Sequence, residues 1–336
     1  MSTVGIIVNP ASGKDIRRVI AAGTVVTNPE KMNIALRLLR ACDVVGVDRV
    51  LIMPDPTHIA RRLVKATDGE LRHTTVAELE LPFILGTWKD TLRATERFVE
   101  LDVDCLVVMG GDGTSRIVAK ASANLPLLPI STGTNNVFPR MIEGTLAGLA
   151  AAAIASGAVT AELVCHRAPQ LELYDDDSEL IDIALVDLVV LEGTDTGARA
   201  VWDSSSIRAL FLTEARPTEI GLTAIGGWLG LEPAPPGHAL AVYTGTGKGR
   251  RLVAPIAPGL FVPVTVNRHY FFDRQASQQI PLRNGVIALD GEREVLISER
   301  QLTVNINPSG PRVINVISAL QAAAATGMLD SCQPTQ

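Results

Sequence analysis

Apolar residues in the first half of the chain come in short blocks, separated by stretches with helical spacing. Val4–Val8, Arg49–Met53, Leu81–Leu85, Asp104–Met109 and Pro126–Ile130 have the length and composition of strands. Between them, Pro29–Cys42 places Met32, Leu36 and Leu39 on one face, and Thr57–Ala66, Trp88–Leu101 and Ser115–Ala123 also read as helices. Strands that alternate with helices predict a parallel sheet covered on both faces. Leu146–Val159 is Ala-rich and weakly polar over 14 residues. A membrane span needs about 20, so this stretch predicts a packed helix.

The pattern changes near residue 160. Ala161–Tyr174 and Ile181–Leu191 are rich in strand formers and are joined by an acidic turn, Asp175–Glu179. Further strands are predicted at His238–Tyr243, Arg251–Ile256, Val262–Val266, Val286–Leu289, Glu294–Ser298 and Gln301–Ile306. A last helix, Ile317–Gly327, is expected to pack back on the first domain. The expected organisation is a Rossmann-like α/β nucleotide-binding domain over 1–145, a mostly β substrate domain over 146–305, and a C-terminal segment over 306–336.

Composition narrows the function classes. The 336 residues are 47 % hydrophobic and 20 % charged, which excludes intrinsic disorder. Thirty basic against 36 acidic residues give a net charge of −6, which argues against a general electrostatic nucleic-acid binder. The N-terminus enters a strand at once and lacks the order of a signal peptide. Cysteines 42, 105, 165 and 332 form no CxxC pair, so reduced thiols and a cytoplasmic location are expected. Histidines 58, 73, 166, 238 and 269 have no i,i+4 pair that would suggest a zinc site, and Trp88, Trp202 and Trp228 are too scattered for a base-stacking platform.

Three polar, glycine-containing loops follow predicted strands of the first half. They are Asn9–Lys14, Gly110–Thr114 (GGDGT) and Ser131–Asn136. Ligands of parallel α/β sheets bind at the carboxyl ends of the strands. Glycines there permit close approach of a phosphate, and the following helix start favours an anion. Asp112 would repel a bare phosphate, so its presence suggests a metal ion or an acceptor hydroxyl. A turn explains the first loop as well as a ligand does. Asp290-Gly291-Glu292 is also a good hairpin turn by composition. Gly245–Gly249 (GTGKG) lacks the Walker spacing and precedes a strand, so a hairpin is expected. The acidic run 175–179 reads as a solvated turn.

The set NP-x-S-G, GGDGT, Gly-Thr-Asn and DGE, in this order, resembles the superfamily that joins NAD kinases, diacylglycerol-type lipid kinases and 6-phosphofructokinases. Pro129–Pro139 (PISTGTNNVFP) is similar to the NAD-kinase-like branch named for acetoin catabolism protein X. The resemblance implies an NAD kinase-like fold and an ATP- and Mg²⁺-dependent kinase acting on NAD or another small soluble metabolite. A lipid kinase and an inactive nucleotide-binding sensor or regulator of catabolism are the alternatives. No basic or amphipathic membrane-facing segment is found for the first of these.

The resemblance gives Asp112 the catalytic role and implies nucleotide or phosphate contacts from Asn9, Ser12, Gly13, Gly110, Gly111, Gly113, Thr114, Thr132, Gly133 and Asn136. It implies acceptor binding by Asp187, and metal or catalytic support from Asp290 and Glu292, with Mg²⁺ carried by the nucleotide rather than held in a protein-only site. A homodimer or tetramer is implied, with no nucleic-acid partner and no membrane span. Two departures bear on the acceptor. Val186 stands where NAD kinases have Asn, and Thr218–Thr223 matches their Thr-Gly-Ser-Thr-Ala-Tyr segment only loosely.

Overall fold

The computed structural model describes residues 1–13, 23, 26–133, 135–193, 201 and 204–330. Lys14, Thr134, Trp202 and Cys332 of the sequence reading lie outside them. The first layer is a seven-stranded sheet of order β3-β2-β1-β4-β5-β18-β6. Its strands are β1 (Thr3–Val8), β2 (Arg49–Ile52), β3 (Thr75–Glu78), β4 (Cys105–Gly110), β5 (Leu127–Ser131), β6 (Cys165–Arg167) and β18 (Arg312–Ile314). All pairs are parallel except β18 with β6. β1 and β4 are buried along their whole length, as expected of central strands covered on both faces.

The covering helices are α1 (Asn28–Val45), α2 (Ile59–Thr67), α3 (Trp88–Glu100), α4 (Asp112–Ala121), α5 (Gly144–Ala155) and α8 (Val316–Ala325). Thr27 and Glu30 form a capping box that starts α1, and Gly46 in the left-handed region ends it. The small residues of the Ala-rich stretch let α5 lie against α1: a Cβ on Gly144 would come within 2.4 Å of Ile34 O, and one on Gly148 within 2.6 Å of Leu38 O. Ala319 and Ala323 place α8 in this same core, back on the first domain.

The rest of the chain is antiparallel. A seven-stranded sheet has the order β12-β13-β11-β10-β9-β15-β16, and a four-stranded sheet the order β14-β17-β7-β8. The larger sheet holds β9 (Asp187–Leu191), β10 (Ile207–Leu212), β11 (Ala239–Thr244), β12 (Arg250–Ala257), β13 (Leu260–Phe272), β15 (Asn284–Leu289) and β16 (Glu292–Ser298). The smaller holds β7 (Gln170–Tyr174), β8 (Leu180–Ala184), β14 (Gln278–Gln279) and β17 (Thr303–Asn307). Leu171, Leu173, Val304 and Ile306 of the small sheet share a core with Leu188, Val190, Ala209 and Phe211 of the large one. Short α7 (Thr223–Gly227) contributes Ile225 to the core on the other face, with Leu210 and Leu212.

Several elements differ from the sequence reading. Leu81–Leu85 is not a strand; the edge strand is β3, earlier in the chain. Pro82 interrupts the run, and the N–H groups of Leu85, Gly86 and Thr87 donate to the Asp90 carboxylate at the start of α3. Ala161–Val164 is a helical turn, α6, ahead of β6. Ile181–Leu191 is split between β8 and β9, which belong to different sheets. Gly245–Gly249 is no hairpin, because β11 and β12 both pair with β13 rather than with each other.

Candidate functional site

The register of the first sheet sets three loops side by side. Val8 lies opposite Met109, and Gly110 opposite Ser131, so the chain leaves β1, β4 and β5 at one level. This is also where strand order reverses, since β2 and β3 lie on one side of β1 and β4 and β5 on the other. Crevices at such switch points are the ligand sites of open α/β sheets.

Side chains knit the loops together. Asn9 Nδ2 donates to Thr114 Oγ1 at 2.8 Å. Ser12 Oγ and Thr132 Oγ1 are 2.9 Å apart, which ties the first loop to the third. Asn136 Nδ2 donates to Ser131 Oγ at 2.8 Å. Gly13 ends the described part of the first loop at φ 78°. Lys31, fully buried in the first turn of α1, donates from Nζ to Asn9 O at 2.9 Å and to Ser12 O at 3.0 Å. The sequence reading missed this lysine. Its signal was a cation placed against the helix dipole in a first turn, where an acid is favoured.

The glycines of the cradle are not equivalent. A Cβ on Gly110 would lie 2.5 Å from the Thr114 side chain, and Cβ atoms on Gly111 and Gly133 would lie 2.8 and 2.7 Å from Asn136. At Gly110 the clash is with the β-carbon of Thr114, whereas at Gly111 and Gly133 it is with the end of the Asn136 side chain, which could turn aside. At Gly113 a Cβ would meet only the Glu292 carboxylate, at 3.8 Å, which is ordinary contact. A side chain at this position would therefore fit beside Glu292 without a clash.

Asp112 opens α4 and is buried. Its carboxylate accepts from Val137 N at 3.1 Å and from Phe138 N at 2.8 Å. Two amides just beyond the third loop thus fix its orientation.

The DGE tripeptide is both a turn and part of the assembly. Leu289 pairs with Glu292 across a two-residue connection, and Asp290 and Gly291 have φ 51° and 78°, as a type I′ hairpin requires. The turn reading does not explain the Asp290 side chain. Its carboxylate accepts from Leu185 N, Val186 N and Asp187 N at 3.0, 2.8 and 3.3 Å. Asp187 Oδ1 in turn accepts from Gly291 N at 3.1 Å. Glu292 faces Gly113, so the hairpin reaches the GGDGT loop. Val186 packs with Val137, Leu185 and Phe138, in a small apolar contact between the segment just beyond the third loop and the β region.

Arg116, one turn beyond Asp112 on α4, binds these parts to one another. Its guanidinium lies 3.1 Å from Asp182, 3.1 Å from Glu294 and 3.7 Å from Asp290, with its side chain only 2 % exposed. Lys120 joins Asp182 at 2.7 Å. Burial pushes the Asp290 carboxyl above its ordinary range, opposed by Arg116 and the three amides. Burial works against the Arg116 charge, but the surrounding carboxylates outweigh it and hold the guanidinium charged. Sequence reasoning did not find Arg116; the i,i+4 relation to Asp112 was the only local sign.

Other candidates lie apart from this cradle. Asp175 accepts from Asp177 N and Glu179 N and closes its own turn between β7 and β8. Cys42 and Cys105 are buried free thiols, and burial pushes Cys42 up to about 12, far from a reactive thiolate.

The cradle has the physical features that suit an anion. It joins loops crowded to glycine, a space beside Gly113, and a helix start whose cap, Gly111, offers no side-chain acceptor of its own. No helix among the described residues is long and apolar enough to cross a membrane. Phe83, Ile84, Leu85 and Trp88 nonetheless form an exposed apolar segment before α3, which the sequence reading did not anticipate.

Family models match two successive parts of the chain. A family model of the ATP-NAD kinase N-terminal domain matches residues 4–158, and one of the acetoin catabolism protein X C-terminal domain matches residues 169–309. The chain is 35 % identical over 340 residues to acetoin catabolism protein X of Cupriavidus necator, covering 98 % of this chain and 94 % of that protein.

Proposed function

The chain belongs to the family of acetoin catabolism protein X, with an NAD kinase-like fold, and we propose that it is a phosphotransferase. It takes ATP and Mg²⁺ and moves a phosphoryl group to a hydroxyl of NAD or of another small soluble metabolite. The observation that carries this reading is the fixed carboxylate of Asp112. Two amides just beyond the third loop hold it in the same crevice as Gly113 and Glu292. Phosphoryl transfer asks mainly for positioning and charge neutralisation.

Backbone amides at the start of α4 and the loop residues Asn9, Ser12, Gly13, Thr114, Thr132 and Asn136 position the phosphates. Mg²⁺, carried with the nucleotide, supplies charge neutralisation. Asp112 takes the proton from the acceptor hydroxyl as its oxygen bonds to the γ-phosphorus and the bond to the β,γ-bridging oxygen breaks, releasing ADP. Asp187 and Asp290 act through the hairpin that sets Glu292 beside Gly113. NAD is the less well supported acceptor. Val186 is enclosed among Val137, Leu185 and Phe138, where an Asn side chain would bond a dinucleotide. Losing a hydrogen bond to a buried polar group costs about 1–3 kcal/mol.

Incubation with ATP, Mg²⁺ and NAD, followed by assay for NADP, tests the acceptor. Failure with NAD, beside phosphate transfer to another hydroxylated metabolite, would keep the kinase and replace its substrate. A lipid acceptor is the second reading, favoured by the exposed segment Phe83–Trp88. There Arg93 lies 4.2 Å over the Phe83 ring, and Lys120 lies 6.0 Å over Trp88. Co-sedimentation with anionic vesicles, lost in Phe83→Ser/Trp88→Ser, would support it; absence of co-sedimentation would remove it.

A further inference from the structure

Helix α1 turns Ala35, Leu38, Leu39 and Cys42 into the hydrophobic core, all of them fully buried. Lys31 stands four residues before Ala35, so it continues the same face, and it is 0 % exposed. A lysine enclosed in this way needs hydrogen-bond acceptors around its ammonium group. Two of them are backbone oxygens of the first loop, Asn9 O at 2.9 Å and Ser12 O at 3.0 Å. The Asn9 oxygen also accepts from Ser12 Oγ at 3.0 Å, so it has a donor from within the loop. The Ser12 oxygen is the one whose direction the lysine sets.

A trans peptide points its C=O and the following N–H to opposite sides. No peptide bond among the described residues is cis. With Ser12 O held on Lys31 Nζ, beneath the loop, the N–H of Gly13 points away from the core face of α1. Gly13 lies at φ 78°, in the left-handed region. Glycine accepts either sign of φ, so the peptide before it can rotate at little cost, and something else must choose its orientation. That choice sets the sign of the loop's local field. An N–H turned out of the core attracts an anion, whereas a C=O turned out repels one.

The same two residues reach the other loops through their side chains. Asn9 bonds Thr114, and Ser12 meets Thr132. Lys31 therefore grips the first loop at the two points where it is tied to the second and the third. A long helix with a capping box at its start carries the lysine, so its position is fixed by the core rather than by the loop.

We infer that Lys31 is a positioning residue of the phosphate site. It holds the Ser12–Gly13 peptide so that the Gly13 N–H, and not the Ser12 carbonyl, meets a phosphate of the nucleotide. Lys31 acts through this peptide and not on the phosphate itself. The inference rests on the kinase reading of the cradle.

The test uses the full chain with Mg²⁺ and two probes, a non-hydrolysable ATP analogue and inorganic pyrophosphate. Serine labelled with carbon-13 at the carbonyl, together with glycine labelled with nitrogen-15, singles out the amides of Ser-Gly pairs. These are Gly13, Gly157 and Gly310. The last two follow α5 and precede β18, and serve as internal references. Both probes should move the Gly13 amide proton downfield in the natural chain and leave the references in place. Lys31→Met keeps most of the stem and removes the donors. It should weaken the ATP analogue about tenfold and abolish the Gly13 shift. Urea unfolding of the same variant separates this from a structural role. A lysine that only stabilises the fold would lower the midpoint and leave the affinity of the folded protein within about twofold, which overturns the inference. If Lys31→Met does not fold, the natural chain still decides, because a Gly13 amide that stays in place while the analogue binds also overturns it. Failure of the natural chain to bind either probe is a different result: it counts against the kinase reading, and the inference falls with it.

Discussion

Two seams join the α/β layer to the β region, and they use the same residue types to opposite ends. At the first, Arg116 meets Asp182, Asp290 and Glu294, and Asp290 takes three backbone amides. At the second, Arg140 meets Glu214 and Glu219, yet enclosed oxygens of both glutamates and of Thr223 remain without partners. Both seams contain acids and an arginine, so residue type does not separate them. The number of bonds does: Asp290 takes three backbone amides at the first seam, although Arg116 Nε is enclosed without a hydrogen-bond partner, whereas each glutamate of the second leaves one enclosed oxygen without one. A densely bonded network positions parts of the protein.

The sharpest way to break this contrast is to remove the arginine of the first seam. Arg116→Met takes the guanidinium away from Asp290 and Glu294, while Asp182 keeps Lys120, and should lower stability by about 3–5 kcal/mol in urea unfolding. A loss below about 1 kcal/mol would mean that the ion pairs of this seam contribute little to joining the two parts. Thr223→Val makes the opposite change at the second seam. It replaces an unsatisfied hydroxyl by a methyl of similar shape, so stability should stay level or rise by up to about 1 kcal/mol. A clear loss would show that the hydroxyl already has a partner within the protein.

The smallest effect is one of pH. The folded Glu219 carboxyl lies above its ordinary 4.5, because of burial and then Glu214. The folded chain therefore binds this proton more tightly than the unfolded chain does. Its contribution is fully present below 4.5 and is lost as pH rises through the folded value. Glu219→Gln should flatten that part of a thermal-unfolding profile. A profile unchanged by the substitution would place the carboxyl in water.

Much of the first layer was legible because its strands are continuous apolar runs and its loops begin where those runs stop. That the three loops share the carboxyl edge of the sheet followed from strand–helix alternation. The charged seams were not legible, since they depend on contacts distant in sequence: Arg116 with Asp182 and Glu294, and Arg140 with Glu219. β18 returns to the first sheet from the far end of the chain with three residues, too few for a pattern. Leu81–Leu85 is the opposite case: its apolar run has the composition of a strand, but Asp90 gathers the amides of Leu85 and Gly86 instead. Asp290-Gly291 was read as a turn by composition, and it is one. Its second use, holding β9 through the aspartate, needed the folded chain.

The central claim is that Asp112 acts on an acceptor hydroxyl within a preformed phosphate cradle. Asp112→Asn keeps a carbonyl oxygen for the amides of Val137 and Phe138, so the loop geometry should survive. The direct measurement is phosphoryl transfer from labelled ATP with Mg²⁺ to a hydroxyl acceptor, with binding of a non-hydrolysable ATP analogue followed on the same protein. The account predicts transfer by the natural chain and a loss of about 100-fold or more in Asp112→Asn, with analogue affinity within about threefold. Undiminished transfer in the variant, or tight nucleotide binding without transfer to any acceptor by the natural chain, would contradict it.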